Sequence, residues 1–188
     1  MQTTDFASHR PAAHARGALL ALALVLAGCA TAPPEGDFRG FDWGASKTAV
    51  KDGEDAELII EPADQLIYHA DYRGLDTTLT YRFQDGRLVQ ARYLNRERHA
   101  DSNAFIDDFK RIKGRLIDRY GLPRTDRRQW RNRLFADRPD RWGEAVAAGH
   151  LVYYTQWIAG NTKIVMTLHA DRLQVAHEIV FSEYEQSS

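Results

Sequence analysis

The chain of 188 residues has one cysteine, Cys29, so it can form no internal disulfide and offers no cysteine pair for redox or zinc chemistry. It has no G-x-S-x-G elbow of the common serine hydrolases and no glycine-rich phosphate loop. Ser46 in "WGASK" is better placed to cap a helix than to act as a nucleophile. His69, His99, His150, His169 and His177 include no H-x-x-x-H or H-x-H pair, so no metal site or cofactor is expected. The net charge of −1 lacks the basic excess that nucleic acid demands, so no nucleic acid partner is expected. Long apolar runs are also missing, with one exception.

That exception is Gly17 to Ala27, eleven residues with no charged or polar side chain. Arg10 and Arg16 precede it and small residues end it, the order of a secretory signal. A bilayer-spanning helix needs roughly 18–20 residues, so the run is too short for a permanent span. A buried core helix would be apolar on one face, whereas this run is apolar all round. The single cysteine stands directly after it, in "LVLAGC".

Leu26-Ala27-Gly28-Cys29 resembles the lipobox of bacterial lipoproteins. The resemblance implies cleavage before Cys29, a diacylglyceryl thioether on its sulfur and acylation of the new amino group. Several acyl chains together give stable anchoring, because each buried methylene contributes about 0.8 kcal/mol. Ala30, where an Asp commonly retains such proteins at the inner membrane, implies the periplasmic face of the outer membrane. The expected organisation is a signal peptide over 1–28, a lipidated Cys29 with a Pro-rich tether over 29–37, and one domain over 38–188. Removing the signal leaves 160 residues, enough for one full core.

Within the domain, Ser46 predicts a short helix through about Asp52. "AELIIEP", "DQLIYHADY", "TTLTYRF" and "RLVQARYL" read as strands. Their inward positions are Leu66, Tyr68 and Ala70, then Leu79, Tyr81 and Phe83, then Val89, Ala91 and Tyr93. Asp85-Gly86 marks a hairpin turn. Phe105, Phe109, Ile112, Leu116 and Tyr120 recur at helical spacing between a cap at Asp101 or Ser102 and the stop Gly121. A short helix near "DRWGEAVAAG" and three closing strands follow. The expected fold is α+β: antiparallel sheet in two meanders, with one long helix and one or two short helices packed on a face. The combination of "WG-x-S", "YG-x-P" and "F-x-DG-x-L" is similar to small envelope lipoproteins of uncharacterised function.

The segment from Arg124 to Arg141 concentrates positive charge beside Trp130 and Trp142. Arginine grips carboxylate and phosphate with two parallel hydrogen bonds, and tryptophan offers stacking area. Arg127, Arg128, Trp130, Arg131 and Arg133 are therefore the candidate surface for an anionic envelope component or an envelope protein. The alternative is an edge strand guarded by charge. No catalytic constellation is legible, so a non-catalytic binding lipoprotein is expected. The competing expectations are a carrier or sensor of a hydrophobic ligand, from the strand aromatics Tyr68, Tyr81, Tyr153, Tyr154 and Trp157, and a periplasmic hydrolase built on His69 or His150.

Overall fold

A computed structural model describes residues 36–172 and 174–185. Cys29 and the apolar run before it lie outside the described residues.

The domain opens with a tight turn at Phe38–Phe41 and helix α1, Lys47–Gly53. The Ser46 hydroxyl accepts the Ala49 amide, which satisfies one of the free donors at the helix start. Four strands follow: β1 Glu57–Ile60, β2 Gln65–Asp71, β3 Asp76–Gln84 and β4 Arg87–Asn95. Helix α2 spans Asn103–Tyr120, and β5 runs Thr125–Trp130. A 3-10 turn at Pro139–Arg141 leads into α3, Trp142–Ala147. Strands β6 Leu151–Ala159, β7 Thr162–Asp171 and β8 Gln174–Glu183 complete the chain.

All eight strands form one antiparallel sheet in the order β1-β2-β3-β4-β8-β7-β6-β5. This corrects the expectation of two meanders with one long helix. The meanders are halves of a single sheet, because the last strand, β8, pairs with β4 from Gln90↔Ser182 to Leu94↔Glu178. Among the described residues, three helices of 7, 18 and 6 residues accompany the sheet. The joining pair is separated in sequence by all of α2, β5, α3, β6 and β7, so no local pattern announces it.

One face of the sheet carries the core. Tyr81, Ala91, Phe181, Ile164 and Trp157 lie in one cross-strand row, and Leu79, Tyr93, Ile179, Met166 and Thr155 in the next. All ten are buried. Val50 of α1, Ile106, Phe109, Ile112 and Leu116 of α2, and Ala145 and Val146 of α3 close over them. The buried stripe of α2 thus begins at Ile106, and Phe105 and Tyr120 are only partly buried. In β4 the inward residue is Leu88 rather than Val89, because a register shift after Arg82 gives β4 an extra residue there. The two indoles are tied polar end first: Trp43 Nε1 donates to Thr162 and Trp157 Nε1 to the Gly121 carbonyl, both at 2.9 Å.

Candidate anion-binding ledge

The arginine segment forms β5, an outermost strand of the sheet paired only with β6. Strand periodicity of two splits its side chains between faces. Arg128 and Trp130 pair with Tyr153 and Leu151 on the helix-covered face. Arg127 pairs with Tyr154 on the other face, where its guanidinium lies 5.0 Å from the Tyr154 ring. Arg131 and Arg133 follow the strand in an exposed loop. The Arg131 amide donates to the His150 carbonyl at 2.7 Å, which leaves its side chain uncommitted to the backbone link. The five candidate residues are therefore contiguous along one sheet edge but do not converge on one point.

Arg128 has the most constructed surroundings. Its guanidinium sits 4.1 Å from the Trp142 ring centre, close enough for a cation–π contact. Trp130 meets the same ring edge-on, with centroids 6.0 Å apart at 72°. Trp142 Nε1 donates to the Ala136 carbonyl at 3.2 Å. The start of α3 is pinned to the start of α2: the Gly143 amide donates to Asn103 Oδ1 at 2.7 Å. Position 143 has to be glycine, since a Cβ there would lie 2.2 Å from the Ser102 carbonyl carbon. Burial pushes the Tyr153 phenol up, and the Arg128 guanidinium opposes that rise. A shallow cavity of about 260 Å³ adjoins Trp142, with Lys110 and Asn103 on its walls. Lys110 is paired with Asp107 at 3.1 Å.

This arrangement supplies binding chemistry. Arginines held over aromatic faces keep their N–H edges free for a planar oxyanion. Among the described residues, Arg127, Arg128, Arg131 and Arg133 enter no ion pair, whereas Arg138 and Arg141 nearby contact Asp140 and Glu144. Sequence reading missed Lys110 and assigned Tyr153 to a hydrophobic-ligand site rather than to the ledge. Tyr153 joins the ledge only through the β5–β6 register and Lys110 through the packing of α2, and neither relation has a local signature.

The strand aromatics divide. Tyr68, Tyr81 and Trp157 are packed into the core, while Tyr153 and Tyr154 flank the ledge. His69 lies 2.8 Å from Asp76, His99 lies 2.7 Å from Asp108, and His150 stacks on Phe135. His177 is buried with neither ring nitrogen hydrogen-bonded among the described residues. No helix of the described residues is long and apolar enough to cross a membrane. No protein-family model, curated protein or solved structure matches the chain.

Proposed function

We propose that the chain is a non-catalytic, lipid-anchored protein of the cell envelope that binds an anionic envelope component through the β5 ledge. The single observation behind the binding reading is the set of arginines at 127, 128, 131 and 133, without an ion-pair partner among the described residues, beside the edge-to-face pair Trp130 and Trp142. Other cations are neutralised locally in part, as in Arg92 with Glu178 and Lys51 with Glu61. The anchor reading rests on the sequence around Cys29, and it would tether the domain to a surface of phosphate-bearing headgroups at the periplasmic face of the outer membrane. Changing the four arginines to Gln is expected to leave the melting temperature nearly unchanged, since exposed substitutions stay within about 0.5 kcal/mol each. Binding to vesicles containing anionic lipid should fall sharply, and wild-type binding should weaken with salt, as screening shortens to about 8 Å at physiological strength. If wild type ignores such vesicles and the quadruple variant aggregates, the arginines guard an edge strand and the binding reading is lost. Cys29→Ser should release the protein from the membrane fraction and abolish lipid labelling. Retention of both would sink the anchor reading and leave the ledge reading standing.

A further inference from the structure

Arginine takes a positive φ at three turns of this fold, Arg39, Arg73 and Arg172, and the first two share one motif. Phe38-Arg39-Gly40-Phe41 and Tyr72-Arg73-Gly74-Leu75 are each closed by reciprocal backbone hydrogen bonds between their first and last residues, at 2.9 to 3.2 Å. Both central residues have positive φ in each: 51° and 89° in the first, 56° and 81° in the second. This is the pattern of a type I′ turn, which favours Asn, Asp or Gly at the first central position. The β3–β4 turn obeys that preference with Asp85-Gly86 at 52° and 75°. Arginine in the left-handed region is conformationally costly, and such cost gathers at functional sites.

The two arginines meet at one cavity of about 310 Å³, with Arg119 from the last turn of α2 beside them. Tyr93 of β4 and Phe181 of β8 are buried side chains that line it from below. The Tyr72 ring lies 4.1 Å from that of Tyr93, inclined by 30°. Tyr72 covers the face of Tyr93, so the aromatic surface open to the cavity is that of the partly buried Tyr72 and Tyr120, and the volume lies in the size range of small-ligand sites.

Its cations are not equally committed. Arg39 is held by Glu54 through two hydrogen bonds. Arg73 and Arg119 have no carboxylate partner among the described residues, and each guanidinium lies over a neighbouring tyrosine, at 5.6 and 5.4 Å. Arg73 Nε is buried and unpartnered. The backbone of Arg73 is fixed from outside, because Arg111 donates to its carbonyl at 2.9 Å. Asp37 and Asp71 also line the cavity, each accepting a backbone amide, from Trp43 and Gly74. Their charge offsets part of the arginine field, which favours a monoanion over a phosphate dianion.

We infer that this cavity is a binding site for a small carboxylate carried on a flat ring, gripped by Arg73 and Arg119 beside the Tyr72 and Tyr120 rings. The site stands apart from the β5 ledge and does not depend on lipid attachment.

Calorimetric titration of the full chain with benzoate tests it, with acetate, benzyl alcohol and phenyl phosphate as companions. Benzoate should bind at least about tenfold more tightly than each of the others, since a charge-assisted hydrogen bond and a ring contact each reach that scale. Arg73→Asn places a preferred residue in the turn, so the melting temperature should hold or rise while benzoate affinity falls about tenfold or more. Arg119→Gln, at an exposed position, should weaken binding similarly with no thermal change. The inference is overturned if benzoate does not bind at millimolar concentration, if benzyl alcohol or acetate matches it, if phenyl phosphate binds better, or if Arg73→Asn binds as wild type does.

Discussion

Arg39 and Glu54 form a two-pronged ion pair, with Nε and Nη2 at 2.9 and 2.6 Å from the two carboxylate oxygens. The Glu54 side chain is 1% exposed, and it also accepts the Tyr81 hydroxyl and, at 3.0 Å, the Ala56 amide. The pair therefore clamps the Arg-Gly turn to the end of α1 and to the centre of β3.

Removing the charge should be costly. Burial alone would raise the Glu54 carboxyl, but hydrogen bonds from Arg39, Tyr81 and Ala56 outweigh it and hold the group below the ordinary glutamate value. A depressed carboxyl stabilises the fold fully above its unfolded value near 4.5, and that contribution is lost as pH falls toward the lower folded value. Glu54→Gln is expected to cost about 2–3 kcal/mol at neutral pH, the scale of a charge-assisted hydrogen bond. Urea denaturation at pH 7 and pH 4 checks this, because the gap between variant and wild type should shrink at the lower pH. An unchanged midpoint at pH 7 would count against the clamp.

His177 gives a second and separable pH window. Burial holds its imidazole down at about 4, with Asp108 opposing and Arg111 assisting. The folded value lies below the unfolded 6.5, so stability is full above 6.5 and declines as pH falls toward 4. The decline amounts to about 3 kcal/mol at most, on the order of 1.4 kcal/mol per unit. His177→Leu should flatten the slope between pH 6.5 and 4.5 and raise stability at pH 5, since two unpartnered buried nitrogens disappear with the ring. A variant curve parallel to wild type through that window would refute the assignment.

The elements carried by short-range pattern were legible, and those made by long-range pairing were not. The alternation of Leu79, Tyr81 and Phe83 and the turn at Asp85-Gly86 are local, and they fix β3 and its return. Ser46 caps α1 through its own neighbour, three residues on. The inward set of β4 was misread at Val89 because a bulge shifts alternation by one residue and leaves no composition signal. The central place of β8 is a pairing across more than 80 residues of chain, and it turned two expected meanders into one sheet. At the ledge, arginine density is visible in the sequence, but only the two-residue strand period separates Arg127 from Arg128. The Arg-Gly turns at "FRGF" and "YRGL" were not read from the sequence, and their meeting at one cavity depends on tertiary packing.

Gly143 should tolerate nothing larger. Gly143→Ala would press a methyl into the Ser102–Asn103 backbone at the α2 start, so the helices must separate. A loss of about 2–4 kcal/mol is expected, in the range of severe overpacking. Phe109→Ala, in the centre of the α2 stripe, should cost about 3–5 kcal/mol by leaving a cavity. Chemical denaturation reads both, and a loss under about 1 kcal/mol at either position would contradict the packing described.

The two sheet edges should behave differently in solution. Strand β5 is rich in arginine, whereas β1 exposes Leu58, Ile59 and Ile60. Unguarded apolar edges template pairing with other chains, and a lysine there blocks it. Ile59→Lys is expected to reduce concentration-dependent association by light scattering without altering the melting temperature. Equal scattering from both proteins would show that β1 is not the sticky edge.

The position of β8 also governs the order in which the protein can be made. Strand β8 is the C-terminal strand, yet it occupies an interior slot between β4 and β7. Until it arrives, the N-terminal four strands end in a raw β4 edge and the second half in a raw β7 edge. A chain emerging N-terminus first thus holds two mutually unattached half-sheets until β8 is free. Assembly dominated by such distant pairing is slow, typically milliseconds to seconds. The vulnerable species for proteases and aggregation is accordingly the chain that has its first seven strands but still lacks β8.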